Sequence, residues 1–161
     1  MTINEIMENC TLIRGAFYAH FDNKSMLYTE TVKYAASSSK LAELKSEHIS
    51  DKQWITQLLD VYLSIDHVKG ERACPLAFLA TDIVTQDNDA KLAHSNAYLG
   101  MNDIILNYAN SFSTCKKEQV LAVTAMIIGA VAISRTIDDR QTVLTLLSSC
   151  RTEVSRILGG V

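Results

Sequence analysis

The sequence predicts an all-α protein, and three observations support this. The chain has 161 residues with only one proline and six glycines, so few residues interrupt a helix. Hydrophobic residues make up 48% of the chain, which is enough for a sizeable core, and they recur at steps of three and four along several segments. Ser, Thr or Asp precedes several of these segments, where such residues cap helices. Together these features predict roughly eight helices.

The N-terminal stretch, residues 2–21, is predicted to form two short helices joined by a tight turn. Thr2 is a good N-cap, and Glu5, three residues later, completes a capping box. Residues 10–12 have about the length of the turn in a helix-turn-helix. The second helix separates two faces, with Phe17 and Phe21 on one and Arg14, Tyr18 and Lys24 on the other.

The sequence RGAFYAHFDNKSMLY, residues 14–28, resembles the signature of TetR/AcrR-type transcriptional repressors. In that family a short recognition helix ends in an aromatic-x-His-Phe element, followed by a Lys and an apolar helix. The resemblance covers residues 2–34 by motif and the rest of the chain by helical layout. It implies a helix-turn-helix head with a connecting helix, residues 1–45, on a helical ligand-binding and dimerisation body, residues 46–161.

The head departs from the family pattern at three points. Thr11 stands where the family usually has Gly, and a non-Gly residue in a left-handed turn position costs about 1 kcal/mol. Ile13 stands where Ser or Thr usually caps the recognition helix, and the loss of that cap also costs stability. The family places a whole helix ahead of this pair, so we expect a DNA-reading unit that lacks its first helix.

The side chains of the head suit contact with DNA. Arg14 is the natural bidentate reader of guanine in the major groove, and Asn4 pairs with an adenine edge. Other polar residues suit phosphates, whose contacts set the register but carry no sequence information. An ordinary amphipathic surface is the alternative explanation for Tyr18 and His20. The predicted DNA-contacting residues are Thr2, Asn4, Arg14, Gly15, Ala16, Tyr18, His20 and Lys24.

The rest of the chain is predicted to be helical with short connections. We expect helices over residues 24–45, 51–66, 88–112 and 116–136, a loop at 67–72, and a last helix ending at about residue 158. Ser50 caps the second of these, and Pro75 suits the first turn of a further helix. Gly159-Gly160 ends the chain's last helix. Predicted caps or turns for the later helices are Asn88 or Asp89, Ser113-Thr114 and Asp138-Asp139.

The last two helices, at about residues 116–158, are apolar on more faces than one subunit of this size covers. Small residues such as Ala125 and Gly129 let another helix approach the first of them closely. Steps of four and three on the second give a coiled-coil-like seam. We expect a homodimer held by a four-helix bundle, as the family also forms. The alternative is that both helices are buried within one subunit.

The resemblance also implies a pocket for an unknown small-molecule effector between the body helices, where apolar pockets with a few polar groups bind ligands. Each aromatic residue there is equally explained as core. Cys74 is either a reactive thiol sensor or a small buried hydrophobic residue. The predicted ligand-binding residues are Trp54, Tyr62, Phe78, Tyr98, Met101 and Tyr108.

Several function classes are not supported by the sequence. The four cysteines show no CxxC spacing and the four histidines lie far apart, so we expect no metal and no cofactor. No HExxH, phosphate-loop or GxSxG pattern occurs, so we expect no enzyme. The net charge of −3 argues against general nucleic-acid binding by the whole chain. The longest apolar run, residues 120–133, is shorter than the roughly 20 residues that span a bilayer.

The function predicted is a cytoplasmic, ligand-responsive transcriptional regulator, a repressor that a small molecule releases from double-stranded operator DNA. Scattered cysteines without a signal peptide are typical of reduced thiols in the cytosol. The competing hypothesis is a dimeric helical module that binds a small molecule and has no DNA affinity of its own, because the first helix is missing.

Overall fold

The computed structural model of the chain describes residues 2–37, 49–70 and 74–161. In these ranges it forms helices and no strands, so the predicted all-α fold is confirmed. One 3-10 helix is described, Asp82–Thr85. The α-helices are α1 Ile3–Asn9, α2 Arg14–Tyr18, α3 Lys24–Ser37, α4 Asp51–Tyr62, α5 Ile65–Lys69, α6 Pro75–Phe78, α7 Asn88–Ala109, α8 Lys117–Ser134 and α9 Arg140–Ile157.

Helices α7 and α8 form the centre of the body. Helix α7 packs on α3, α4 and α8, while α8 also packs on α5, α6 and α9. Their shared core contains Ile55, Leu59, Val123, Ile127 and Val143, all of which are fully buried. Each such side chain contributes about 1.5–3 kcal/mol relative to an exposed one, so this core is the main source of stability.

Local caps fix where most helices begin. Ser50 forms a capping box with Gln53, as expected for α4. Pro75 stands in the first turn of α6, as predicted. Asp139 caps α9 by accepting the backbone N–H of Thr142 at 2.8 Å. A side-chain oxygen in this position satisfies an N–H that has no partner within the helix.

Two predicted caps are wrong. Helix α7 is capped by Asp87, whose Oδ1 accepts the N–H of Ala90 at 2.9 Å, and not by Asn88 or Asp89. Helix α8 has Lys116 at its N-cap. Ser113 does not cap it, because its hydroxyl donates to the carbonyls of Ala109 and Leu158 at 3.1 and 3.2 Å and so joins the ends of α7 and α9.

The predicted helix over residues 51–66 and the loop after it are also corrected. Helix α4 ends at Tyr62, and a separate helix, α5, begins at Ile65. The break occurs because Ser64 acts as a second N-cap: its hydroxyl accepts the N–H of His67 at 3.1 Å. The predicted connecting helix of residues 24–45 is observed up to Ser37, and the remainder lies outside the described residues.

Gly159 and Gly160 end α9 as predicted, with φ angles of +90° and +81°. The N–H of Gly160 donates to the carbonyl of Ser155 at 2.8 Å, which closes the last turn. Gly159 also approaches the turn after α7 closely, since a Cβ on it would lie 2.6 Å from Cβ of Ser113. Glycine is therefore required there by both backbone and contact.

Helix α8 is the one described helix whose length and composition would allow it to cross a membrane, and 39% of it is buried within this chain. That is weak evidence for a membrane span, because the core helix of a soluble protein has the same composition. The exposed apolar residues of this helix are Ala122, Ala125 and Ile133.

Candidate nucleic-acid interface

The helix-turn-helix head begins with the predicted capping box. The N–H of Thr2 donates to Oε2 of Glu5 at 2.6 Å, and the N–H of Glu5 donates to the hydroxyl oxygen of Thr2 at 3.3 Å. The hydrogen bonds from Thr2 hold the pKa of Glu5 below its ordinary value. Thr2 therefore defines the start of α1 as well as being a predicted phosphate contact.

The turn between α1 and α2 is made without glycine. Thr11 has a φ of +57°, in the left-handed region, where a β-branched residue is strained. Its N–H donates to the carbonyl of Glu8 at 2.9 Å, and the N–H of Leu12 donates to that of Met7 at 2.9 Å. Ile13 stands at the N-cap of α2 with no side-chain hydrogen bond. Both departures from the family pattern are thus real features of the fold.

Phe17 anchors α2 in the head. Its side chain is only 2% exposed, and its ring lies 5.5 Å from that of Phe21 and 5.1 Å from that of Tyr18, measured between centroids. Aromatic contacts of this kind add to the energy of burial. Because the inward face of α2 is fixed by Phe17, the opposite face is presented to solvent.

The outward face of α2 carries Arg14, Gly15 and Tyr18, all exposed. The Nη2 atom of Arg14 donates to the Tyr18 hydroxyl at 3.3 Å, and its guanidinium carbon lies 5.8 Å from the centre of the Tyr18 ring. The ring therefore holds the guanidinium along the helix surface by a cation–π contact. The structure brings together these two of the predicted DNA-contacting residues.

The other predicted contact residues lie on the surface of the same head. Thr2 and Asn4 are exposed at the start of α1, His20 is exposed after α2, and Lys24 is exposed at the start of α3. Ala16 is half-buried. The DNA-contacting roles of all eight residues stay predictions.

The head is not basic. Over residues 2–24 it carries Glu5, Glu8 and Asp22 against Arg14 and Lys24, a formal charge of −1. Affinity for a phosphate backbone depends on the number of cations that contact it. Any DNA affinity of this head therefore depends on a few well-placed side chains and not on a general positive field.

Helix α3 joins the head to the body through two hydrogen bonds that the sequence did not reveal. The Ser25 hydroxyl donates to Oδ2 of Asp87, and the Tyr28 hydroxyl donates to Oδ2 of Asp82 at 3.0 Å. Burial and the hydrogen bond to Asp82 raise the pKa of Tyr28 to about 12. The partners lie 62 and 54 residues apart in the sequence, so no local pattern could have paired them.

The predicted ligand-binding residues are distributed through the body. The rings of Trp54 and Tyr108 stack at 4.5 Å, and the Tyr62 hydroxyl lies 3.0 Å from Sγ of the buried Cys74. Burial raises the pKa of Tyr62. Phe78 faces solvent, with 60% of its side chain exposed.

Several polar groups are buried where α7 packs against α8. The Thr124 hydroxyl lies 3.1 Å from the Tyr98 hydroxyl and 2.8 Å from Oδ1 of the buried Asn102, while Met101 is 7% exposed. None of the six predicted residues lines the groove between α3 and α7 or the groove between α4, α5 and α9. Their ligand-binding role stays a prediction. Among the described residues, no group of three His, Cys, Asp or Glu side chains could hold a metal ion.

The architecture defines a class of protein, an all-helical TetR-like fold with a small head on a helical body. The crystal structure of Escherichia coli NemR in its reduced form is similar to it, with a TM-score of 0.81, 18% identity, and coverage of 98% of this chain and 86% of that chain. No family model and no curated protein matches the sequence. At 18% identity, this similarity shows that the two chains share a fold and nothing more.

Proposed function

We propose that the chain is a ligand-responsive DNA-binding transcriptional regulator that acts as a repressor in the cytoplasm. The observation that carries this proposal is the outward face of α2, where Arg14, Gly15 and Tyr18 are exposed while Phe17 fixes the helix from behind. A short helix after a four-residue turn, with its exposed side chains free to enter a major groove, is the arrangement of a recognition helix. NemR, whose fold it shares, is a TetR-family regulator.

The repressor acts as a homodimer through α8 and α9, at about residues 116–158. Helix α8 presents Ala122, Ala125 and the half-exposed Ile133 outward, and α9 presents Leu144, which is 40% exposed. These exposed apolar residues on two adjacent helices are suited to contact with a second copy of the chain across a two-fold axis. Two heads then meet a near-palindromic operator one helical turn apart.

A small molecule that binds the body releases the dimer from the operator. Helix α3 is the physical link, because it begins at the head and is hydrogen-bonded to the body through Tyr28 and Asp82. Release requires that the effector bind the DNA-free conformation of the dimer more tightly than the DNA-bound conformation, by a few kcal/mol. No catalytic role is proposed for any residue.

The test is binding of the purified chain to DNA from just upstream of its own gene. The assay runs at low and at physiological salt with unrelated DNA as competitor, since phosphate contacts weaken with salt while base contacts give the preference. Binding that survives the competitor supports the proposal. Binding that the unrelated DNA removes completely contradicts it.

A second candidate function is a dimeric small-molecule-binding module without DNA affinity of its own. The observation that favours it is the charge of the head, where Glu5, Glu8 and Asp22 outnumber Arg14 and Lys24. The same assay separates the two, because this candidate predicts a dimer in solution and no selective binding at either salt concentration.

A further inference from the structure

Arg14 and Tyr18 are the first and last residues of α2, and their spacing of four places both side chains on the same face of the helix. Nη2 of Arg14 donates to the Tyr18 hydroxyl at 3.3 Å, and the guanidinium carbon lies 5.8 Å from the centre of the Tyr18 ring. The arginine side chain therefore runs along α2. Gly15, beside it, has no side chain that would occupy the same surface.

The Tyr18 ring is itself held by the core of the head. Its centroid lies 5.1 Å from that of the Phe17 ring, and the two planes meet at 84°, an edge-to-face contact. Phe17 is only 2% exposed, so its ring is fixed by packing. The position of the Arg14 guanidinium is thus tied through Tyr18 to a buried residue.

The contact with Tyr18 leaves the charge of Arg14 available to a partner. Among the described residues no carboxylate forms an ion pair with Arg14. A carboxylate would neutralise the guanidinium, whereas an aromatic ring attracts it without adding a charge. A guanidinium has five N–H donors, and the hydrogen bond to Tyr18 uses one of them. The other four are sufficient for a bidentate contact with a guanine edge.

Holding an arginine in one arrangement before binding affects selectivity. An exposed arginine has many rotamers, and fixing one of them on binding costs free energy. A ring that already favours one arrangement in the free protein lowers that cost. An arginine without this restraint also reaches phosphates, whose contacts add affinity but no sequence preference.

We propose that Tyr18 is a positioning residue for Arg14, and that it raises the selectivity of the head for its operator by holding the guanidinium where it meets a base edge. A phosphate contact, the role predicted for Tyr18 from the sequence, would add affinity without selectivity. The positioning role rests on the proposed DNA-binding function. One of its two tests needs no DNA, so the failure of the role and the failure of that function can be distinguished.

The first test is NMR spectroscopy of the free protein. Ring current shifts the protons of a side chain that lies over an aromatic ring upfield. We expect the side-chain protons of Arg14 to lie further upfield in the parent than in Tyr18→Leu. The matched control is Tyr34→Leu, which removes a 73% exposed tyrosine from α3 and should leave these protons unchanged. Arg14 protons that do not move in Tyr18→Leu would show that the contact is absent in solution, which overturns the positioning role.

The second test measures Kd by fluorescence anisotropy for a duplex from just upstream of the gene and for a scrambled duplex of the same composition. The ratio of the two Kd values is the selectivity. We expect Tyr18→Leu to lower it about threefold to tenfold, since the arginine must then be ordered on binding. Tyr34→Leu should keep the selectivity of the parent. Equal weakening on both duplexes by Tyr18→Leu would indicate a phosphate contact and overturn the positioning role.

A double-mutant cycle separates positioning from direct contact. In the Arg14→Ala background, Tyr18→Leu should no longer change the selectivity, because the side chain that it positions is absent. A reduction of the same size in that background would show that Tyr18 acts on DNA by itself, which contradicts the role.

Tyr18→Phe provides a milder variant. It retains the ring and its packing on Phe17 and loses only the hydroxyl, so both measurements should fall between those of the parent and of Tyr18→Leu. A lower selectivity for Tyr18→Phe than for Tyr18→Leu would contradict the role of the ring. A parent without any preference for its upstream duplex would overturn the proposed function and the positioning role together. A selective parent without the ring-current shift would overturn the positioning role alone.

Discussion

The hydroxyl of Tyr28 donates a 3.0 Å hydrogen bond to Oδ2 of Asp82, and this contact joins the helix that carries the head to the body. Gln86 also donates to the same carboxylate oxygen, at 3.3 Å, so Asp82 serves both helix α3 and its own 3-10 helix. The proposed function requires the head to move relative to the body. Such a movement must either break this contact or carry Asp82 along with α3.

Tyr28→Phe should therefore destabilise the protein in a pH-dependent way. At neutral pH the lost hydrogen bond costs about 0.5–1 kcal/mol. Because the pKa of Tyr28 is raised from 10 in the unfolded chain to about 12 in the folded one, its contribution is complete below pH 10 and is lost as the pH rises towards 12. Urea unfolding at several pH values should show a difference between parent and variant that shrinks across this interval.

A double-mutant cycle with Asp82→Ala, which removes the acceptor, provides the control for this prediction. If the two residues act through their shared hydrogen bond, the effect of Tyr28→Phe should largely disappear in the Asp82→Ala background. Additive effects of the two substitutions would show that the contact does not contribute in solution.

Thr11→Gly should stabilise the head by about 0.5–1 kcal/mol, since it relieves a left-handed backbone at some cost in chain entropy. The matched control is Thr81→Gly. Thr81 is likewise exposed in a turn, but its φ of −95° suits any residue, so this change should only destabilise. Thermal unfolding of both variants checks the prediction, and a lower midpoint for Thr11→Gly would contradict it.

Ala125→Glu should convert the proposed homodimer to a monomer. Ala125 is exposed on α8 in the single chain, so a Glu there meets only water unless a second copy covers it. In the four-helix bundle it would bury a charge without a partner, at a cost of several kcal/mol. Sedimentation equilibrium measures the result.

Ala36→Glu on α3 is the control for the dimer, because Ala36 is exposed on a helix outside the proposed interface. It should leave the molecular mass of the parent unchanged. If the Ala125→Glu variant remains a dimer, the interface lies elsewhere. If the parent protein is a monomer, the proposed homodimer is wrong.

The features predicted best from the sequence are helix ends, which depend only on residues within one helical turn. The capping box at Thr2, the N-cap at Ser50, Pro75 at the start of α6 and the glycines after α9 are all local features, and each is found where it was expected. The break at Ser64 was missed because the apolar stripe of α4 continues through Ile65, although the Ser itself is a cap signal.

What the sequence could not predict depends on contacts between distant segments. The pairings of Tyr28 with Asp82 and of Ser25 with Asp87 are of this kind, because the partners lie more than 50 residues apart in the sequence. The family resemblance implies Phe78 as a pocket residue, but α6 is only four residues long and leaves the Phe78 side chain 60% exposed. Hydrophobic type alone does not determine which side chain a short helix buries.

Operator selectivity in a series of Arg14 variants tests whether the exposed face of α2 reads base edges. Fluorescence anisotropy gives the Kd of the parent, Arg14→Ala and Arg14→Lys for the operator fragment and for a scrambled fragment. Lys keeps the charge and loses the bidentate geometry. We expect Arg14→Ala to weaken binding to the operator by about 1–3 kcal/mol, and we expect both variants to lose selectivity for the operator over the scrambled fragment. If Arg14→Ala binds the operator as tightly and as selectively as the parent, this face does not read base edges.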